Sequence, residues 1–172
     1  MKLAPTNLDI RNTAGSAIDQ VLIGNVYEGL VARDEHNQVV PAIAKTWDVS
    51  DDGTTYTFHL NDGMTFSNGD KLDADDVAWS INELVTKQYH DADSLVNFVS
   101  VKASDPNTVE LKLSAPYANL LWVLTGRPGL VFDKDAKYDA KTQAIGSGPY
   151  TVEKFVTNSS ITLKANPNYW GC

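Results

Sequence analysis

The sequence predicts an α+β fold, a small mixed unit of antiparallel strands with a few packed helices, on three observations. Tyr56, Phe58 and Leu60 alternate with Thr55, Thr57 and His59, the period of a half-buried strand. Val109, Leu111 and Leu113 repeat that alternation just after the turn Asp105-Pro106-Asn107. Between them, Ala74, Val77, Ala78, Ile81, Leu84 and Val85 recur on one face of a helix. The chain has 172 residues, 42% hydrophobic and 21% charged, which suits one globular domain or slightly more. That length can bury a core without disulfide or metal staples.

The remaining elements follow in order. Pro5, Asn7, Asn12 and Gly15 break the chain, so residues 5–15 are expected to be irregular. A helix is expected from near Ser16, with Ile18, Val21, Leu22 and Val26 on one face and Gly29 as its stop. Leu30-Val31 and Val39-Val40 suit a short hairpin around Asp34-Glu35-His36-Asn37. Ala42-Ile43-Ala44 leads into a strand through Trp47 and Val49, closed by the turn Asp51-Asp52-Gly53. Asp73 is placed to cap the central helix, with Asp75 and Asp76 in its first turn, where the helix dipole favours anions. Trp79 falls off the apolar stripe and is expected to pack sideways. Val99, Val101 and Ala103 predict a strand, and Leu120 to Leu124 a short buried helix after Pro116. Leu130-Val131-Phe132 predicts a strand, and residues 133–144 read as polar surface. Tyr150-Thr151-Val152 and Ile161-Thr162-Leu163 predict a last hairpin.

Formal net charge is -8, which argues against nucleic acid as a partner because phosphate binding needs a basic face. The one cysteine, Cys172, allows no intrachain disulfide and reads as a passive thiol, with an intermolecular bridge as the alternative. No stretch approaches the roughly 20 apolar residues of a membrane span. Met1-Lys2-Leu3-Ala4-Pro5 turns polar at once, without the apolar region of an export signal.

No catalytic residue, metal site or cofactor is expected from the motifs. His36, His59 and His90 lack metal-ligand spacing and read as solvated surface. Asp73, Asp75 and Asp76 are accounted for by helix capping. Gly146-Ser147-Gly148 lacks the spacing of a nucleophile elbow or phosphate loop, and Pro149 removes an amide donor. The phrase therefore reads as a close approach between backbones. A small hydrolase using Ser147, with His59 or His90 as base, stays as a rival, and so does a stand-alone interaction module. Of Trp47, Trp79, Trp122 and Trp170, at most one is expected to touch a ligand. Arg127, in Thr125-Gly126-Arg127-Pro128-Gly129 between two apolar segments, needs a partner if buried. Local sequence favours an internal carboxylate, and a bidentate ligand carboxylate is the alternative.

Four phrases, in order, carry a resemblance. They are Tyr27-Glu28-Gly29-Leu30; Ala44 to Trp47 running on through Ser50–Leu60, Gly63–Gly69 and Leu72–Val77; Ile145-Gly146-Ser147-Gly148-Pro149-Tyr150; and Asn166-Pro167-Asn168-Tyr169-Trp170-Gly171. The chain thereby resembles the family 5 extracellular solute-binding proteins, the peptide-, nickel- and opine-binding components of ABC importers. It departs mildly, with Ser147 where the family usually has Thr, and without the Arg or Lys usual near His59-Leu60-Asn61.

The resemblance implies part of the first lobe of a periplasmic-binding-protein-like fold (type II, cluster C). Residues 6–40 and 145–171 would be first-lobe flanking segments and 41–144 a small inserted subdomain. An N-terminal fragment is implied, lacking the second lobe of its own chain. The function implied is capture of a peptide-like or metal-chelate ligand for a membrane permease of an ABC importer, without catalysis. Localisation would be extracytoplasmic, either periplasmic or as a cell-surface lipoprotein in a Gram-positive organism. The resemblance raises Arg127 as a cleft residue able to pair with a ligand carboxylate, and it places Asn7, Asp9 and Tyr27 at the cleft edge.

Overall fold

The computed structural model describes residues 5–171; Cys172 and the start of the chain lie outside the described residues. Helix α1 spans Ser16–Leu22, strand β1 Val31–Arg33, β2 Val39–Pro41, β3 Ala44–Val49 and β4 Thr55–Leu60. Helix α2 spans Ala74–Thr86, followed by β5 Phe98–Asp105, β6 Thr108–Leu113, the short α3 Leu120–Val123, β7 Tyr150–Val156 and β8 Ser160–Ala165. β1 pairs with β2 and β7 with β8 as antiparallel hairpins. The other four strands form one antiparallel sheet in the order β3-β4-β6-β5.

The alternation read from the sequence sets the sheet's inner face. Tyr56, Phe58 and Leu60 are buried on β4, and Val109, Leu111 and Leu113 on β6, with Phe58 opposite Val109 and Tyr56 opposite Leu111. Val77, Ile81 and Leu84 of α2 join them in one cluster. Burying a side chain of this size is worth about 2–3 kcal/mol. Asp73 caps α2 in a capping box: its side chain accepts from the Asp75 amide, and Asp76 Oδ2 accepts from the Asp73 amide at 3.1 Å. Trp79 packs sideways as expected, against a second cluster built on Leu8, Ile10, Ile18, Leu22, Val26 and Tyr27.

Two expectations are corrected. α1 stops at Leu22, a turn earlier than the apolar spacing suggests. Gly24 takes φ +81°, and the amides of Val26 and Tyr27 both return to the Leu22 carbonyl, so the chain folds back there. Leu130 to Phe132 is buried but not a strand, making only an isolated bridge from Leu130 to Gly29. Its partner segment is shared, because Gly29 and Leu30 also accept from Ile43 and Ala44. The strand expected through Val99, Val101 and Ala103 is β5; Val99 points outward on it at 56% exposure, where the β5–β6 register shifts between Phe98 and Ser100.

Candidate functional site

Glu28 sits where the sequence phrases converge. Ser147 Oγ donates to its Oε1 at 3.1 Å, Trp170 Nε1 to the same oxygen at 2.9 Å, and the Tyr169 hydroxyl to Oε2 at 3.3 Å. Burial pushes the Glu28 carboxyl above its ordinary range, and these three donors pull back against that rise. The backbone is drawn in as well. A Cβ on Gly146 would stand 2.0 Å from the Val26 carbonyl oxygen, and one on Gly148 2.3 Å from that of Asn25. Gly148 and Tyr150 donate to those same two carbonyls at 3.0 and 2.9 Å. Asn166 Nδ2 donates to the Gly148 carbonyl at 3.0 Å, and Thr65 Oγ1 to that of Asn168 at 2.7 Å. The close backbone approach expected of Gly146-Ser147-Gly148 is therefore present, and its partner is residues 25–28.

Beside Glu28 opens a cleft of about 430 Å³, lined also by Gly29, Arg33, Thr125, Tyr169 and Trp170. A second cleft of about 400 Å³ shares Ile23 and Arg33 with it and adds Asp19, Gln20, Asp91 and Arg127. Arg33 Cζ lies 4.5 Å from the centre of the Trp122 ring.

Arg127 is buried and heavily engaged. Its Nε donates to Asp19 Oδ1 at 2.7 Å, Nη1 to the carbonyls of Ile10 (2.8 Å) and Thr13, and Nη2 to that of Gly15 at 3.3 Å. Asn7 Oδ1 accepts from the Asp9 amide at 2.9 Å and from Thr13 Oγ1 at 2.7 Å. Asp9 in turn accepts from the Arg11 amide and from Asn12 Nδ2. Asn7 and Asp9 thus turn the same 7–15 segment that Arg127 clamps. Tyr27 is buried, its ring 4.7 Å from Phe132 and its hydroxyl 3.1 Å from that of Tyr138. Burial, with Tyr138 adding to it, raises the Tyr27 hydroxyl well above its ordinary value.

Ser147 is 0% exposed, and among the described residues no histidine or lysine lies within hydrogen-bond reach of it. His59 is bound to Asp48 at 2.9 Å, and His90 lies 3.4 Å from Asp91. The nucleophile–base pair that the hydrolase reading requires is not formed. Among the described residues there is also no group of three or more His, Cys, Asp or Glu able to hold a metal ion, and no helix long and apolar enough to cross a membrane.

Sequence reasoning assigned no role to Glu28, Asp19 or Arg33, and weighed Trp122 only as one of four tryptophans of which at most one would touch a ligand. Glu28 stands inside a quoted phrase, and a carboxylate between an aromatic and a glycine was the one signal available.

Open clefts lie beside a half-buried acid held, among the described residues, by neutral donors. The family model of bacterial extracellular solute-binding proteins, family 5 Middle, matches residues 38–172, and the chain belongs to this family. It is 32% identical over 162 residues to the dipeptide-binding protein of Escherichia coli, covering 78% of this chain and 30% of that one. It is 32% identical over 154 residues to that organism's nickel-binding periplasmic protein, covering 85% of this chain and 29% of the relative. The structure matches NikA from Brucella suis in complex with Fe(III)-EDTA with a TM-score of 0.81 at 28% identity, over 98% of this chain and 36% of that one. The expected α+β fold, part of a type II periplasmic-binding-protein architecture, is the one observed. The chain spans about a third of the length of the curated relatives it matches, between 28% and 37% of the first two.

Proposed function

We propose that the chain is the first-lobe part of a solute-binding protein that captures a peptide-like or metal-chelate ligand and hands it to the permease of an ABC importer. The single observation that carries this reading is the convergence of residues 25–28, 146–150 and 166–170 on Glu28, beside an open cleft of about 430 Å³. A rigid wall of this kind is half of a binding site, and hinge-type proteins complete it by closing a second lobe. In this reading residues 6–40 and 145–171 belong to the first lobe, and 41–144 form the inserted subdomain. The larger hydrophobic cluster draws mainly on the sheet and α2 but takes in Leu30 and Val31, and the smaller joins residues 8–27 to Leu130 and Phe132, so the two parts share their core.

Arg127, Asn7 and Asp9 shape the ligand-facing segment, and Tyr27 backs it from the core. The protein works outside the cytoplasm, in the periplasm or as a lipoprotein on a Gram-positive surface, and catalyses no reaction. Nickel binding, dipeptide binding and the Fe(III)-EDTA complex belong by name to the relatives, and the ligand class comes to this chain by that kinship.

Titration of the chain with short peptides and nickel–histidine chelates, followed by calorimetry and amide shifts, tests the reading. Weak, saturable binding confined to the two clefts is expected, because one wall buries only part of a ligand. Sub-micromolar binding would overturn the need for a second wall. No response in either cleft would overturn solute binding itself.

A further inference from the structure

Two arginines line the open wall, and they differ in what their donors are doing. A carboxylate gripped bidentately needs Nη1 with Nη2, or Nε with Nη2. On Arg127, Nε is held by Asp19 and Nη1 by two carbonyls, so each fork has a member already engaged. Its side chain is 3% exposed, which leaves an incoming carboxylate no approach.

Arg33 is the reverse case. It is exposed at the end of β1 and lines both clefts, and among the described residues its guanidinium makes no hydrogen bond or ion pair. Its one recorded partner is the Trp122 ring, 4.5 Å from Cζ, and Trp122 is itself 41% exposed. The contact with the ring restrains the guanidinium, whose five N–H donors lie in its own plane and are bonded to no other described residue. The other charges on this wall are already occupied. Asp19 pairs with Arg127, Asp91 lies 3.4 Å from His90, and Glu28 holds three donors. Arg33 is therefore the cation lining either cleft that still has uncommitted forks.

We propose that Arg33, steadied by Trp122, reads a carboxylate of the solute, and that Arg127 is a positioning residue for segment 10–15. The carboxylate is the C-terminus of a short peptide or an outward carboxylate of a metal chelate. This rests on the solute-binding reading above.

The test is a nitrogen-15 NMR titration of the chain with trialanine, with trialanine amide and with zinc–EDTA, following the Arg33 and Arg127 Nε–H and the Trp122 indole. Trialanine should shift Arg33 and Trp122 and leave Arg127 in place, and the amide should bind at least about tenfold more weakly, as loss of a charge-assisted pair requires. Arg33→Gln should reproduce that loss with the free peptide, and Arg33→Lys, which keeps charge without the fork, should restore only part of it. A shift with zinc–EDTA alone would assign the chelate as the source. Equal binding of acid and amide, or movement of Arg127 in place of Arg33, would overturn the assignment. Shifts at Ile23 or Thr125 without Arg33 would overturn it while leaving solute binding standing; silence throughout both clefts would overturn both.

Discussion

Glu28 is a half-buried carboxylate which, among the described residues, is held by neutral donors and no cation. Its removal orphans the buried Ser147 hydroxyl and the Trp170 indole N–H, so Glu28→Ala should cost about 2–4 kcal/mol in urea unfolding. Ser147→Ala removes one donor and leaves the acid two others, so about 1 kcal/mol or less is expected. Equal losses for the two variants would mean that Glu28 is not the hub. Asp76 gives a pH signature. Burial pushes its carboxyl from 3.8 to about 6, against the amides of Asp73 and Lys134 that favour the ionised form. The folded state therefore holds the proton more tightly than the unfolded chain does. That contribution is complete below about pH 3.8 and is lost as pH rises through about 6. Between pH 4 and 7 the unfolding free energy should fall by on the order of 2 kcal/mol from this group. Asp76→Asn should flatten that slope and lower the baseline, because an amide oxygen cannot serve both N–H donors. Urea midpoints across that range check it, and parallel pH profiles for the two proteins would refute it. Of these roles only the capping by Asp76 was legible locally: Ser147 lies 119 positions from Glu28, and Asp19 108 from Arg127. The sequence required a partner for Arg127 and favoured an internal carboxylate, but only the fold brings Asp19 to it.

At the scale of elements, legibility followed how fully one physical signal determined each segment. β4, β6 and α2 were readable because alternation or helical spacing, turn residues and the Asp73 cap all agree. Where two demands compete, the reading slipped. The apolar spacing of α1 runs past Leu22, but the fold-back at Gly24 is needed to bring Asn25 and Val26 against Gly146 and Gly148. The same contact predicts which glycines are irreplaceable. Gly148→Ala must move the backbone of Asn25 or Val26 and should cost at least about 3 kcal/mol. Gly63→Ala, at φ +70° with open space around it, should cost about 1 kcal/mol of backbone strain alone. Thermal unfolding of both variants distinguishes steric closure from conformational strain, and a milder loss at Gly148 would mean that the close approach yields.

Across the whole molecule, stability should grade from the four-stranded sheet outward to the last hairpin. β4 and β6 are central strands, each flanked on both sides and buried on the inner face against α2. β7 and β8 pair only with each other, and none of their residues is fully buried, with Tyr150 and Val156 at 44% and 40% exposure. The hairpin is tethered at its open end, where Tyr150 donates to the Asn25 carbonyl and Asn166 to that of Pro149, while its Asn158 turn lies at the far end. Local opening tracks buried apolar contact, so the hairpin should open without the sheet. Hydrogen exchange should therefore show β4 and β6 amides as the slowest and residues 154–162 as the fastest within strands, with Tyr150 and Asn166 intermediate because the Glu28 junction holds them. Glu28→Ala should speed exchange at Tyr150 and Asn166 while leaving β4 unchanged. If it instead loosened β4 and the hairpin alike, the two clusters would unfold as one unit, and the Glu28 junction would join them rather than divide them.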